Sequence, residues 1–600
     1  MRKFRPTLAA AAVALALAST TASAQYSGAF VFGDSLSDAG QYGSRFTTNP
    51  GLTFPMYVTQ QYGITVTPSF QGGTDYGQGG ARVNSPSPLI PPGVPNLSIA
   101  QQVSQFLAKG PADPGALYQL QGGANDILVL ASQAAAGQIT AAQAQAAVGQ
   151  AAIDLATQAA RLQAAGARYL IVYNVPDIGK SPLAASQNAQ STFTALSGLF
   201  NSTLNAAMSA AHLQVVQVNT FALLQEVVAN PASFGFTNVT IPVCTTASAL
   251  ECTPNTLRDP NGNLTWAFAD GVHPSTGLAL IGAQAAAATI EAPARMSTLA
   301  EAPLANEEAI FRTIDSRMMS NLNSTRPMRK YEFWAAYDYG NNDIKGPFTS
   351  GNNDLNTLAA GGDIKVSEKF IIGGVFNYTD NKGDFGGGTG SYKLKETSGT
   401  IYAGYGDGPW YIGGTVGAGD LEYKGIKRNI QLGALTRTEN SDTSGWQLMA
   451  SVLGGYWFNY SDDLQHGPFA RLSYQEIRVH GFSEQGSDST ALSFGQQERN
   501  SLIGSVGWQA TGRIGMFRPF GRVTWEWEGR DGERLVSATP IGFDTTFSVP
   551  GVKPDSSWVN YVLGASADFG GVTGFIQGTG TGGKSDGNYY GVTIGVRVPL

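Results

Sequence analysis

The sequence predicts an α/β domain with a parallel sheet flanked by helices, then a helix, then a C-terminal transmembrane β-barrel of twelve strands. Three observations predict it. Six hundred residues are too many for one core. In the first half, short apolar runs alternate with alanine-rich segments of helical spacing. From Tyr331 onward the apolar period drops to two.

Ahead of both halves, Arg2, Lys3 and Arg5 precede an apolar segment over residues 8–18 and then Ala22-Ser23-Ala24. This pattern predicts a secretory signal peptide over residues 1–24, cleaved after Ala24; its apolar segment is too short for a membrane-spanning anchor. No later run is long enough for a transmembrane helix, which leaves strands as the way into a membrane. A formal charge of -7 argues against nucleic acid as a partner. The only two cysteines, Cys244 and Cys252, have no histidine nearby and make a poor metal site. In an oxidising compartment they are expected to close a small structural disulfide loop.

Residues 25–295 carry the α/β pattern. Strands are expected at 29–32, 117–120, 169–173 and 213–218, and the segment 141–165 is too long and too rich in helix formers to be anything but a helix. In such a fold ligands bind beyond the C-terminal ends of the strands. Four stretches fall there. Gly33-Asp34-Ser35-Leu36 follows the first strand as a tight turn and offers Ser35 as a nucleophile. Asp75-Tyr76-Gly77-Gln78-Gly79-Gly80 is a glycine-rich turn whose N–H groups can approach a ligand closely. Gly123-Ala124-Asn125-Asp126 follows the second strand and presents a carboxamide. Asp270-Gly271-Val272-His273 sets a carboxylate three residues before an imidazole, just ahead of a helix starting near Ser275 or Thr276. Singly each is an ordinary turn or cap; in this order, after these strands, they form a set.

With these four blocks, residues 26 to 290 resemble the GDSL (SGNH) family of esterases and lipases. The resemblance implies Ser35 as nucleophile, His273 as the base that takes its proton and Asp270 as the group that orients the imidazole. It also implies an oxyanion hole made by the N–H of Ser35, the N–H of Gly80 and the side-chain amide of Asn125. The second block begins with Asp75 where the family usually has asparagine, so the choice between Gly79 and Gly80 stays open. Asp34 and Asp126 are expected to orient backbone in their turns and are not counted as catalytic.

Residues 296–330 predict a connector helix through the barrel lumen, with Ile310, Ile314 and Met318 on one face and charges over the others. A surface linker or dimerising helix is the alternative. In residues 331–600, Tyr590, Val592, Ile594, Val596 and Val598 alternate with small or polar residues. Similar stretches begin near Tyr331, Asn356, Phe370, Thr397, Trp410, Gly445, Phe469, Ser501, Arg518, Trp558, Val572 and Tyr589, twelve in all. Connections at 367–368, 406–409 and 569–571 are short, and those at 422–444 and 481–500 are expected to be long loops. Trp334, Tyr339, Trp410, Tyr456 and Trp457 fit interfacial girdles. A soluble β-sandwich needs none of these features.

This half resembles the autotransporter barrels, and the whole chain resembles the GDSL autotransporter esterases of Gram-negative bacteria. One departure is the ending Val598-Pro599-Leu600, where that family often finishes on an aromatic residue. The resemblance implies an outer-membrane barrel in contact with lipid, a passenger at the cell surface, and export with the help of periplasmic chaperones and the barrel assembly machinery. The expected activity is hydrolysis of short or medium acyl esters through an acyl-enzyme, with a lipid or other acyl ester as substrate. Deacetylation of a polysaccharide and a non-catalytic adhesin are the alternatives. No metal, nucleotide or redox cofactor is indicated.

Overall fold

The computed structural model describes residues 25–90, 92–322 and 330–599. The predicted signal peptide, the end of the connector at 323–329 and Leu600 lie outside the described residues. The chain divides between Ala286 and Ala287 into two units, and the helix Thr276–Met296 carries it across that division.

In the first unit β1 (Ala29–Phe32), β2 (Leu117–Leu120), β3 (Tyr169–Tyr173) and β4 (Val216–Val218) form one parallel sheet in that order. Successive side chains point to opposite faces. Phe32, Tyr118, Leu120, Leu170 and Val172 join one buried cluster with the helices Ile99–Leu107, Ala124–Ala135, Ala141–Ala164 and Gln190–Ala210. Their neighbours Val31, Leu117, Ile171 and Tyr173 are buried as well, and on their side Phe54 of the helix Phe54–Gln61 meets the Tyr173 ring edge-on at 4.7 Å. The long helix is started by a capping box between Thr140 and Gln143 and buries an alanine-rich stripe that includes Val148, Leu155 and Leu162.

β4 begins three residues later than its apolar run. His212 takes a left-handed φ of 52°, and the N–H of Leu213 still bonds back to the carbonyl of Met208, so the chain is finishing a helix there. On the free edge of β1 a single parallel bridge joins Val31 to Asp75. Tyr76 N–H donates to Val31 at 2.7 Å and Gln78 N–H to Gly33 at 3.0 Å, which lays the glycine-rich turn beside the nucleophile turn.

In the second unit twelve long antiparallel strands run from Tyr331–Gly346 to Tyr589–Pro599, and those two pair to close the barrel. A short piece, Phe458–Ser461, continues the strand Leu435–Tyr456 beyond Trp457 and pairs with the same neighbour, Leu464–Val479. Outward-facing Val592, Ile594 and Val596 are about half exposed, whereas inward-facing Thr593 and Gln577 are buried.

Two expectations need correction. The stretch 422–444 is not a loop: the strands Trp410–Leu432 and Leu435–Tyr456 form one hairpin turned at Gly433, with Leu432 opposite Leu435. Its polar residues hid a period of two that Leu421 and Tyr423 keep in one phase and Ile426, Ile430 and Leu432 in the other, on either side of a bulge after Tyr423. Within 481–500, Phe482–Ser483 and Leu492–Phe494 join Leu535–Pro540 and Phe547–Pro550 in a separate four-stranded antiparallel sheet. Secondly, Tyr339, Trp410 and Tyr456 are exposed, but Trp334 and Trp457 face inward and are buried. Strand parity, not ring chemistry, decides which side an aromatic takes.

The helix Thr298–Leu322 runs inside this barrel. Ile310, Phe311, Ile314 and Met318 pack with Trp334, Tyr402, Tyr411, Met449, Trp457 and Phe469. Another face carries acids seven residues apart, each opposite arginines of the wall or, for Arg534, of the segment after the strand Phe517–Glu528. Glu301 meets Arg499 at 3.1 Å and Arg534 at 3.0 Å, Glu308 meets Arg471 at 2.6 Å, and Asp315 lies 3.5 Å from Arg471 and 3.6 Å from Arg522. Arg317 points elsewhere, to Asp363 at 2.7 Å and to Glu332.

Candidate active site

β1 ends at Phe32, and Gly33 starts the turn that carries Ser35. Gly33 is locked by reciprocal bonds with the Gln102 amide, both 2.9 Å. A Cβ on it would stand 2.7 Å from Ser37 Oγ and 2.9 Å from the Gln121 carbonyl, so only glycine fits. Ser35 Oγ lies 2.9 Å from His273 Nε2. On the far side of the ring, Nδ1 lies 2.7 Å from Asp270 Oδ2 and 2.9 Å from Oδ1. Residues 238 positions apart in sequence are thus brought into line.

Asp270 is buried, and its carboxylate also accepts the N–H groups of Val272 (3.0 Å), His273 (2.9 Å) and Ala249 (2.8 Å). Burial alone would raise its pKa, but the His273 ring and the backbone donors outweigh it and hold the pKa down to about 2. The Ala249 donor comes from the loop closed by the disulfide Cys244–Cys252, whose Cα atoms are 5.6 Å apart. That loop is tied down in turn by Asn49, whose amide donates to the Ala249 carbonyl at 3.0 Å.

Gly80 sits in the left-handed region at φ 83°, in the turn beside Ser35. Asn125 is the second residue of the helix Ala124–Ala135 and gives one amide hydrogen to the Ala81 carbonyl at 3.0 Å. Gly123, at φ 107°, precedes that helix, and a Cβ there would run into the Phe200 ring. Asp126 anchors the same turn through Arg82 Nε and Val83 N–H, both 2.9 Å; burial raises its pKa against the pull of Val83 and Arg82. Asp34 accepts Leu36 N–H at 3.0 Å and the Gln121 amide at 3.2 Å, and burial pushes its pKa up to about 6.

A cavity of about 540 Å³ opens at Ser35 and His273. Gly80 and Asn125 reach it, and its walls are mainly apolar, with Leu36, Phe46, Leu128, Ile178, Leu224 and Phe268 among them. The Phe46 ring stands 4.9 Å from the His273 ring. Among the described residues no group of three or more histidine, cysteine, aspartate or glutamate side chains is placed to hold a metal ion.

Sequence reasoning missed Asp38, Phe46, Arg82 and the N–H of Ala249. Asp38, three residues after Ser35, repeats the acid-at-three spacing of Asp270 and His273 and offered a signal. The Ala249 contribution offered none, because a backbone donor carries no residue identity.

The barrel, the parallel sheet and the cavity at Ser35 define a class: a carboxylic ester hydrolase joined to an outer-membrane barrel. The model of the GDSL-like lipase/acylhydrolases matches residues 30–282, and that of the autotransporter beta-domain matches residues 333–579. Esterase EstA of Pseudomonas aeruginosa is 30% identical over 83% of this chain and 83% of its own. Lipase 1 of Photorhabdus luminescens is 25% identical over 92% of this chain and 93% of its own. The translocator domain of the autotransporter NalP from Neisseria meningitidis aligns with a TM-score of 0.41 and 16% identity, over 50% of this chain and 98% of that one. The chain belongs to the family of GDSL esterase/lipase autotransporters, and its barrel is an autotransporter beta-domain of the outer membrane whose passenger is exported.

Proposed function

We propose that the chain hydrolyses short or medium acyl esters by a Ser-His-Asp acyl-enzyme mechanism. The observation that carries this reading is the line from Ser35 Oγ through the His273 ring to Asp270, 2.9 Å and 2.7 Å, at the mouth of an apolar cavity. Ser35 Oγ attacks the ester carbonyl carbon while His273 Nε2 takes its proton, and Asp270 stabilises the imidazolium. The tetrahedral oxyanion is met by the N–H of Ser35, the N–H of Gly80 and the remaining amide hydrogen of Asn125; losing one such donor costs about 3 kcal/mol. His273 then protonates the leaving alcohol. Water, deprotonated by the same ring, cleaves the acyl-enzyme and releases the acid.

The apolar walls support an acyl chain as the occupant of the cavity. Residues 25–295 serve as the passenger, 296–330 as the connector and 331–600 as the barrel, with periplasmic chaperones and the barrel assembly machinery delivering it. Support for that division comes from the closed barrel and the helix within it. The test is Ser35→Ala in the exported protein. Hydrolysis of p-nitrophenyl butyrate is expected to vanish while barrel assembly persists, and turnover in the properly exported variant overturns the reading.

A further inference from the structure

Asp38 is fully buried and lies outside the Ser35–His273–Asp270 line. Its Oδ1 accepts the N–H groups of Gly40 (2.8 Å) and Gln41 (2.6 Å), which closes the turn after Ser35. Its Oδ2 accepts the N–H of Gly79 at 2.8 Å, from the glycine-rich turn 41 residues along the chain. One carboxylate thus spans the nucleophile turn and the turn that carries Gly80. The same segment holds the other end of the Gly79 residue, because the Tyr42 hydroxyl donates to the Gly79 carbonyl at 3.0 Å and itself accepts from the Gln78 amide. Gly79 is held sterically too: a Cβ would lie 2.1 Å from the Phe46 ring. Just past Gly80 the chain is fixed again, by Asn125 on the Ala81 carbonyl and by Asp126 on Val83 N–H. Gly80 therefore stands between two clamped points. The N–H of Gly79 is spent on Asp38, whereas the N–H of Gly80 has no acceptor among the described residues.

We propose that Asp38 is a positioning residue for ester hydrolysis: by engaging Gly79 N–H it fixes the glycine-rich turn on Ser35 and makes Gly80, not Gly79, the oxyanion donor. The inference rests on the reading of Ser35 and His273 given above. Asp38 touches no reacting atom, and its effect falls on the transition state, since the donor it aims meets charge only when the carbonyl oxygen becomes an oxyanion.

The test is Asp38→Asn in the full chain, purified in detergent micelles and normalised to folded passenger by protease resistance. The amide keeps the size of the carboxylate but loses its charge and turns an NH2 toward at least one N–H donor. The turnover number kcat for p-nitrophenyl butyrate is expected to fall about 10- to 100-fold with KM within twofold of wild type, and the second-order rate of labelling by a fluorophosphonate to fall in parallel. Tyr42→Phe removes the bond to the Gly79 carbonyl and the acceptor for the Gln78 amide but leaves Asp38 on Gly79 N–H, and a loss of about two- to fivefold in kcat is expected; it decides the matter if the Asp38 variant does not fold. A kcat within twofold of wild type in the folded Asp38 variant, or a loss carried by KM, overturns the proposal. Failure of the underlying reading has its own signature, turnover in Ser35→Ala, which does not depend on Asp38.

Discussion

Around Ser35 the buried carboxylates of Asp38 and Asp270 are held chiefly by backbone N–H groups, while Asp34 and Asp126 each pair one backbone N–H with a side chain, the Gln121 amide and the Arg82 guanidinium. In the barrel, Glu308 and Glu301 face arginines 163 to 233 residues away. Backbone donors come with a turn's own shape, so a carboxylate among them fixes geometry, and its loss shows first in catalysis. A guanidinium is a whole charge brought from elsewhere, and its loss leaves a buried acid without a counter-charge, so the cost shows in stability.

The largest effect that would sharpen this contrast is on turnover. Asp270→Asn leaves the imidazole in the wrong tautomer and is expected to lower kcat by roughly 10³- to 10⁴-fold, in a passenger that still folds with a lower midpoint of urea unfolding. A loss under tenfold would break the passenger side of the comparison. Next comes the barrel. Arg471→Met removes the arginine of Glu308 and leaves Asp315 only Arg522, and it is expected to destabilise the barrel by about 3–5 kcal/mol. Heat-modifiable migration on cold SDS gels reads it, and kcat per folded molecule should not move; lost turnover with an unaltered barrel would reverse the assignment.

Replacing both Cys244 and Cys252 by serine should cost the passenger about 2.5 kcal/mol by loop entropy. It should also lower kcat, because the loop holds the Ala249 donor on Asp270; unchanged kcat at full folding would show that the other two N–H donors suffice.

The smallest effect is a slope. Asp34 and Asp38, raised by burial from 3.8 to about 6, are harder to ionise folded than unfolded. Their contribution therefore makes the passenger more stable as pH falls from 6 toward 4. Asp270, held near 2, acts the other way: its stabilisation is full above 3.8 and is lost as pH falls through 2. Urea midpoints read by residual activity should pass through a maximum between about pH 3 and 4, and Asp34→Asn should flatten the limb between 4 and 6. An unaltered limb would remove Asp34 from the account.

What was legible in the sequence follows the same division. Ser35 stands in a short turn after an apolar strand, and Asp270 and His273 in a short turn ahead of a helix, so local chemistry marked them. The strand phases of the barrel were legible from alternation, and the face formed by Ile310, Ile314 and Met318 from helical spacing. The inward turn of Trp334 and Trp457 was not, since an aromatic ring suits both a lipid interface and a packed lumen. Neither was the matching of Glu301, Glu308 and Asp315 to Arg499, Arg534, Arg471 and Arg522, because a charge on a helix reads the same whether water or an arginine faces it.

The seven-residue spacing of those acids has a mechanical meaning. A seven-residue step along a helix is about 10.5 Å. Sliding the helix by one such step re-engages only two rungs, leaving one acid beyond the arginines and one arginine site without its acid; sliding by half a step engages none. Only one register therefore engages all three rungs, and it is the deepest detent of the helix in the barrel. Charge thus indexes the helix to one position in the barrel.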